Sequence, residues 1–251
     1  LTGMRSLELS DTQVTGAGLV HLAGLSHLSA LQLRNTGADD DGLAKLSGLA
    51  ALSFLNLDST RVTDTGLAHV AKLPRISGVF LRDTAVTDAG LKHLAGAALL
   101  TSLRFDGTKI TDAGLEHLSR LRHLNSLTLS NTRVTDAGLK HLRGLSQIQY
   151  VELNGCEVTG TGLQDLGELT NLVHLALNDT EIDDGALARL AVLTNLEYLE
   201  LSGAPVTDTG LEQLGRLPQL RRLTISNTTI STEGVGKLQT ALPNCVVIVR
   251  P

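Results

Sequence analysis

A pair of apolar residues flanking one polar residue returns every 24 residues along the chain, and this period constrains the fold more than any other feature. The pairs run Leu7–Leu9, Leu31–Leu33, Leu55–Leu57, Val79–Leu81, Leu103–Phe105, Leu127–Leu129, Val151–Leu153, Leu175–Leu177, Leu199–Leu201, Leu223–Ile225 and Val247–Val249, with no insertion or deletion between them. Alternation with a period of two is the mark of a strand with one buried face. Eight residues after each first apolar residue, in ten repeats, stands a residue suited to start a helix: Thr15, Asp39, Thr63, Thr87, Thr111, Thr135, Thr159, Asp183, Thr207 or Ser231. Each can accept a hydrogen bond from an orphan helix N–H. Asp often follows, as at 64, 88, 112, 136 and 208, where it suits the positive end of the helix dipole. Leu then recurs at helical spacing. Gly precedes the first helical Leu in nine repeats of ten, from Gly18 to Gly234, with Ala186 the exception. Gly inside a helix costs about 1 kcal/mol against Ala, so its recurrence predicts a contact too close for a Cβ.

A unit of one strand, one turn and one short helix cannot bury its apolar side alone, so the units are expected to stack into a solenoid. Strands pack about 4.8 Å apart and helices about 8–10 Å apart, which predicts a stack curved with the sheet inside. The unit LxxLxxLxLxxTxVTDxGLxxL resembles the leucine-rich repeat. It is similar to the ribonuclease-inhibitor-like and cysteine-containing kinds, and to the VTDAGL repeats of large bacterial, planctomycete-like proteins. The resemblance implies an α/β solenoid, a right-handed horseshoe arc with a parallel sheet on the concave face and short helices on the convex face. It covers residues 1–251 as a single domain of about ten repeats, closed by a helix and strand over 235–251. It implies a shared binding scaffold rather than one partner. The family's usual Asn or Cys ladder position is mostly Thr here (12, 36, 60, 84, 108, 132, 180 and 228), with Cys156 and Ala204 once each. The Thr hydroxyls are expected to tie the turn of one coil to the next, which makes Ala204 an expected weak point. Leu1 and Met4 match Leu25 and Leu28, so the chain starts in mid-repeat. That start predicts a segment of a longer protein, with end-to-end contact as the other reading.

The composition narrows the function. The net charge of −5 argues against nucleic-acid binding through a basic surface, and no apolar run approaches the ~20 residues of a membrane span. Five His (21, 69, 93, 117 and 141) fall in one column of the helical face. Neighbours in that column stand a helix spacing apart, about 8–10 Å, too far to share a zinc ion at about 2.0–2.1 Å, so no metal or other cofactor is expected. Cys156 and Cys245 lie four strand spacings apart, about 19 Å, beyond the ~7 Å limit of a disulfide. No nucleophile elbow, zinc-protease, phosphate-loop or redox motif occurs, and every repeat is too short to carry a loop-borne active site. A non-enzymatic module is expected.

The open face of the sheet carries the remaining signal. Of five aromatic residues, Phe54, Phe80, Tyr150 and Tyr198 fall on outward strand positions and only Phe105 on a core position. Two candidate patches result, Phe54 with Phe80, Arg82 and Arg104, and Tyr150 with Glu152, His174, Tyr198 and Glu200; Arg222 continues the row. Aromatic residues and Arg are frequent anchors of interfaces. Arg82 and Arg104 are expected to orient an acidic group, and Glu152 and Glu200 a basic one, with His174 lending pH sensitivity near 6–7. The alternating row Arg34, Asp58, Arg82, Asp106 has a simpler reading as mutual neutralisation. The leading expectation is a module that binds a protein or extended peptide on the concave sheet between the third and ninth repeats. The alternatives are a structural spacer and the targeting arm of an enzyme whose catalytic part lies elsewhere.

Overall fold

The computed structural model describes residues 3–249; Leu1 lies outside them, and Met4 is half-buried. Each apolar pair forms the inward side of a three-residue strand. The strands are β1 (Ser6–Glu8), β2 (Ala30–Gln32), β3 (Phe54–Asn56), β4 (Gly78–Phe80), β5 (Ser102–Arg104), β6 (Ser126–Thr128), β7 (Tyr150–Glu152), β8 (His174–Ala176), β9 (Tyr198–Glu200), β10 (Arg222–Thr224) and β11 (Val246–Ile248). The chain divides into two compact units, Leu1–Leu127 and Thr128–Pro251, with the boundary inside β6. In the first unit β1 to β5 pair in parallel in chain order, and in the second β7 to β11 do the same. The register is 24 residues throughout, as in Leu7↔Leu31 and Leu175↔Leu199. Both units are strand-and-helix solenoids with a largely aliphatic core, and Phe105 is the one aromatic side chain fully buried there.

The turn after each strand has a feature that the repeat pattern alone does not announce. Asp11, Asn35, Ser59, Asp83, Asn131, Asp179 and Asn227 have φ between 51° and 60°, and Gly107, Gly155 and Gly203 between 63° and 74°. Asn, Asp and Gly are the residues that enter this left-handed region most readily. The conformation turns the backbone N–H toward the next repeat: Asp11 donates to the Arg34 carbonyl at 2.8 Å, Ser59 to Arg82 at 2.7 Å and Asp179 to Ser202 at 2.7 Å.

The Thr ladder is corrected. Its hydroxyls donate within their own repeat, to the carbonyl three residues back, from Thr36 onto Leu33 at 2.6 Å to Thr228 onto Ile225 at 2.9 Å. Each Thr closes its own turn, and Ala204 therefore leaves no tie between coils broken. Cys156 is the exception, its Sγ lying 3.1 Å from the Leu129 carbonyl of the preceding repeat. Neither Cys156 nor Cys245, both buried, is in a disulfide.

One recurrent side-chain tie between coils is made by the VTD segment. Asp40 accepts the Thr63 N–H at 2.8 Å and its hydroxyl at 2.6 Å. Asp64 with Thr87, Asp88 with Thr111, Asp136 with Thr159, Asp184 with Thr207 and Asp208 with Ser231 repeat the arrangement. The ladder also explains the glycine column. A Cβ on Gly66, Gly90, Gly210 or Gly234 would collide with the Asp40, Asp64, Asp184 or Asp208 carboxylate, and one on Gly162 would lie 2.5 Å from the Asp136 backbone carbonyl oxygen. Ala186 breaks the column because the preceding repeat has Gly160 in place of the ladder Asp, and a Cβ on Gly160 would meet that of Ala186. The next N-cap, Asp183, then supplies its own carboxylate to the Ala186 N–H at 2.9 Å. Gly16 and Asp39 repeat this substitution, with Asp39 capping the Gly42 N–H at 2.9 Å.

Helices begin where the sequence places them in eight repeats, for example Asp64–Val70, Asp88–Leu94, Asp208–Leu214 and Thr232–Ala241. Gly16–Leu22 and Leu163–Glu168 form 3-10 helix instead. Those are the repeats with Gly16 and Gly160 in place of Asp, so they lose a first-turn acid and gain a poor helix former. No helix among the described residues is long and apolar enough to cross a membrane.

Candidate functional site

The strands hold the four outward aromatics half-buried, and each unit assembles its own pair. In the first unit, Phe54 pairs in register with Gly78, and Phe80 with Asn56 and Arg104. A Cβ on Gly78 would come within 2.8 Å of the Phe54 ring. The glycine thus leaves room for that ring to lie over β4, an unusual use of Gly within a strand. The Phe54 and Phe80 rings meet edge to face, 4.9 Å apart at 83°, a favoured aromatic geometry. The Arg104 guanidinium lies 4.3 Å above the Phe80 ring. It is also 3.3 Å from the Asp58 carboxylate and 3.8 Å from that of Asp106.

Asp58 is buried, and burial raises its pKa above the ordinary carboxylate value. The Arg82 N–H, which donates to it at 2.8 Å, and the Arg104 charge oppose that rise. Beside it opens a cleft of about 330 Å³ lined by Arg34, Arg82, Arg104, Asp58 and Asp83 among others. Arg34 is paired with Asp11 at 3.6 Å and Arg82 with Asp83 at 3.2 Å. Each arginine of this patch has an acid of its own chain against it, so its charges are matched internally.

The second unit differs. Tyr150, His174 and Tyr198 stand in register on β7, β8 and β9. Their rings stack: Tyr150 and His174 are 4.3 Å apart at 18°, His174 and Tyr198 6.0 Å apart at 25°. Glu152 and Glu200 flank the buried Ala176 in the adjacent row. Glu152 accepts a hydrogen bond from the Tyr150 hydroxyl. Glu200 accepts one from the Asn178 side-chain amide at 2.7 Å and lies 3.6 Å from His174 Nε2. That nitrogen is buried and has no hydrogen-bond partner among the described residues. Burial is the leading influence on His174 and holds its pKa below the ordinary imidazole value, against the pull of Glu200 and Glu152. Burial thus biases the imidazole toward its neutral form. Arg222, next in register after Tyr198, is exposed.

A His whose folded pKa is depressed contributes stability that is intact above its unfolded pKa and declines as pH falls through that value. Acid should thus weaken the second unit from about pH 6.5 downward. His174→Gln should flatten the decline in urea midpoints measured between pH 7.5 and 5.5; an unchanged slope would show that another group carries it.

On the helical side, His21 and His93 are exposed and His69, His117 and His141 half-buried. Among the described residues no group of three or more His, Cys, Asp or Glu side chains could hold a metal ion. Sequence reading missed Gly78 and Asn178, whose roles depend on neighbours in the next strand. Gly78 could have been found as a lone strand glycine beside an outward Phe.

Comparison with known proteins agrees with this architecture. An internalin from Listeria monocytogenes matches over all of this chain and 81% of its own, at 21% identity and a TM-score of 0.74. Internalin C2 of the same organism matches 83% of this chain and 84% of its own, at 26% identity and a TM-score of 0.62. A leucine-rich-repeat protein of Leptospira interrogans covers 98% of this chain and 72% of its own, at 15% identity and a TM-score of 0.65. No curated protein sequence matches. The family model described as a leucine-rich repeat region matches residues 2–246. Domains of this kind are in general protein-interaction modules and typically non-enzymatic. With its 24-residue register, its parallel strands and a family match along nearly its whole length, the chain belongs to the leucine-rich-repeat family.

Proposed function

We propose that the chain is a binding module that receives protein segments on the open faces of its strands, with no chemistry of its own. Phe54 and Phe80 anchor the site in the first unit, and Tyr150, His174 and Tyr198 the site in the second. One observation carries this reading: four of the five aromatic side chains are spent on ordered, half-exposed ring contacts outside an otherwise aliphatic core. Short parallel strands fix the backbone beneath these rings, so docking loses little ordering entropy. Burial of one such ring against a partner gains on the order of 1.5–3 kcal/mol.

The test uses peptides selected against the full chain from a random display library. Phe80→Ala or Tyr198→Ala should weaken binding by at least about tenfold for peptides seated on the corresponding unit. His93→Ala and His117→Ala, on the helical side, should leave affinity unchanged. Loss of affinity in the helical-side variants but not in the aromatic ones would contradict the assignment.

A further inference from the structure

The two aromatic patches share a design but not an electrostatic state. In the first unit Arg34, Arg82 and Arg104 each lie against an aspartate. In the second, Glu152 and Glu200 face neutral donors, the Tyr150 hydroxyl and the Asn178 amide. Burial biases the imidazole between them toward its neutral form. Among the described residues no Lys or Arg forms an ion pair with either glutamate. Arg222 stands on the other side of Tyr198, in register with it, and makes no ion pair with Glu200. Glu200 keeps 35% of its side chain exposed. Two carboxylates without a cationic partner therefore stand on either side of Ala176, two strand spacings or about 10 Å apart, beside a wall of three stacked rings.

From this juxtaposition, and resting on the reading of the strand face as a binding surface, we propose that Tyr150, His174, Tyr198, Glu152 and Glu200 form a receptor for an arginine side chain presented by a partner protein. The charge is missing on this side, so the complement is a cation. Guanidinium fits better than ammonium because its planar, weakly hydrated head packs against aromatic rings while its fork of N–H groups reaches a carboxylate. The methylene stem would cover the exposed flanks of the tyrosines. His174 holds the two tyrosines in one stack and is a positioning residue.

The test is a titration of the full chain, with Tyr and His ring signals followed by NMR at low salt and pH 7. The probes are the acetylated, amidated pentapeptide Gly-Arg-Gly-Arg-Gly and its citrulline counterpart, which keeps the shape and loses the charge. The arginine peptide should shift the Tyr150, His174 and Tyr198 signals saturably and bind about fivefold or more tighter than the citrulline peptide, the expected worth of exposed charge pairs. The double variant Glu152→Gln with Glu200→Gln should erase the difference without altering the fold. Equal binding of both peptides at these rings would overturn the arginine receptor and leave the strand-face reading standing. Shifts confined to the helical-side histidines would overturn both. Absence of any shift with the arginine peptide would overturn the receptor, and peptides selected from the library would then decide the broader reading.

Discussion

Phe105→Ala should cost about 3–5 kcal/mol of stability, the range for removing a large ring from a core that cannot collapse around the void. Phe105 is fully buried and is the only aromatic among the buried core residues described, which are otherwise mostly Leu, Ile and Val. Its neighbours in the sequence pattern are held by a fixed 24-residue register on both sides, so the strands have little freedom to close the gap. Phe54→Ala and Phe80→Ala should cost distinctly less, because both rings are only half-buried. Urea midpoints for the three variants check the ordering. Equal losses would mean that the outward rings serve the fold and would weaken the case that they are kept for a partner.

The second large effect concerns the ladder between coils. Asp136 accepts four hydrogen bonds from the next repeat: the Thr159 N–H at 2.9 Å and hydroxyl at 2.6 Å, the Gly160 N–H at 3.0 Å and the Gly162 N–H at 2.7 Å. Burial alone would raise the Asp136 pKa, but these bonds together outweigh it and hold the carboxyl below its ordinary value. Asp136→Ala strands three backbone donors, and the expected loss is about 2–3 kcal/mol, discounted because the site is partly open to water. Gly162→Ala should lose a similar amount, about 2–3 kcal/mol, since its Cβ would meet backbone atoms of Asp136 that cannot swing away. Gly18→Ala, in the same repeat column, is the contrast. A Cβ there has only the Val14 side chain near it, at 3.9 Å, so the change should be neutral or stabilising by up to about 1 kcal/mol. Thermal melts of the three variants would refute the ladder if the two glycines responded alike.

Much of this architecture is legible in the amino-acid sequence because a period of two and a period of 24 residues coincide without error. Once Leu7 is placed in the core, Leu31 and Leu55 must follow, and Phe54, Phe80, Tyr150 and Tyr198 must face the other way. What the period does not reveal is the direction of a short polar side chain. Thr36 recurs every 24 residues whether its hydroxyl points to its own turn or to the next, and only the fold shows that it points to Leu33. The Asp of the VTD segment likewise reads as a helix-dipole residue until the next coil is laid against it. The left-handed column from Asp11 to Asn227 is drawn from Asp, Asn, Ser and Gly, but the period alone does not announce its conformation, whose meaning lies in the N–H it turns toward the next repeat. The charges were the hardest to read. Arg104 reaches Asp58, 46 residues away and two strands back, while Arg82 takes Asp83 beside it, and no alternation along one row foretells both choices. The same uncertainty hid the contrast between an internally matched patch on the first unit and an unmatched one on the second.

The central claim is that partners dock on the strand face rather than on the helices. Photo-crosslinking tests it most directly. Benzoylphenylalanine installed singly at position 80 or 198 should form covalent adducts with peptides selected against the native chain, each with peptides of its own unit. The same group at position 93 or 117 should form none. Adducts from 93 and 117, with none from 80 and 198, would place the partner on the helical side and contradict the account.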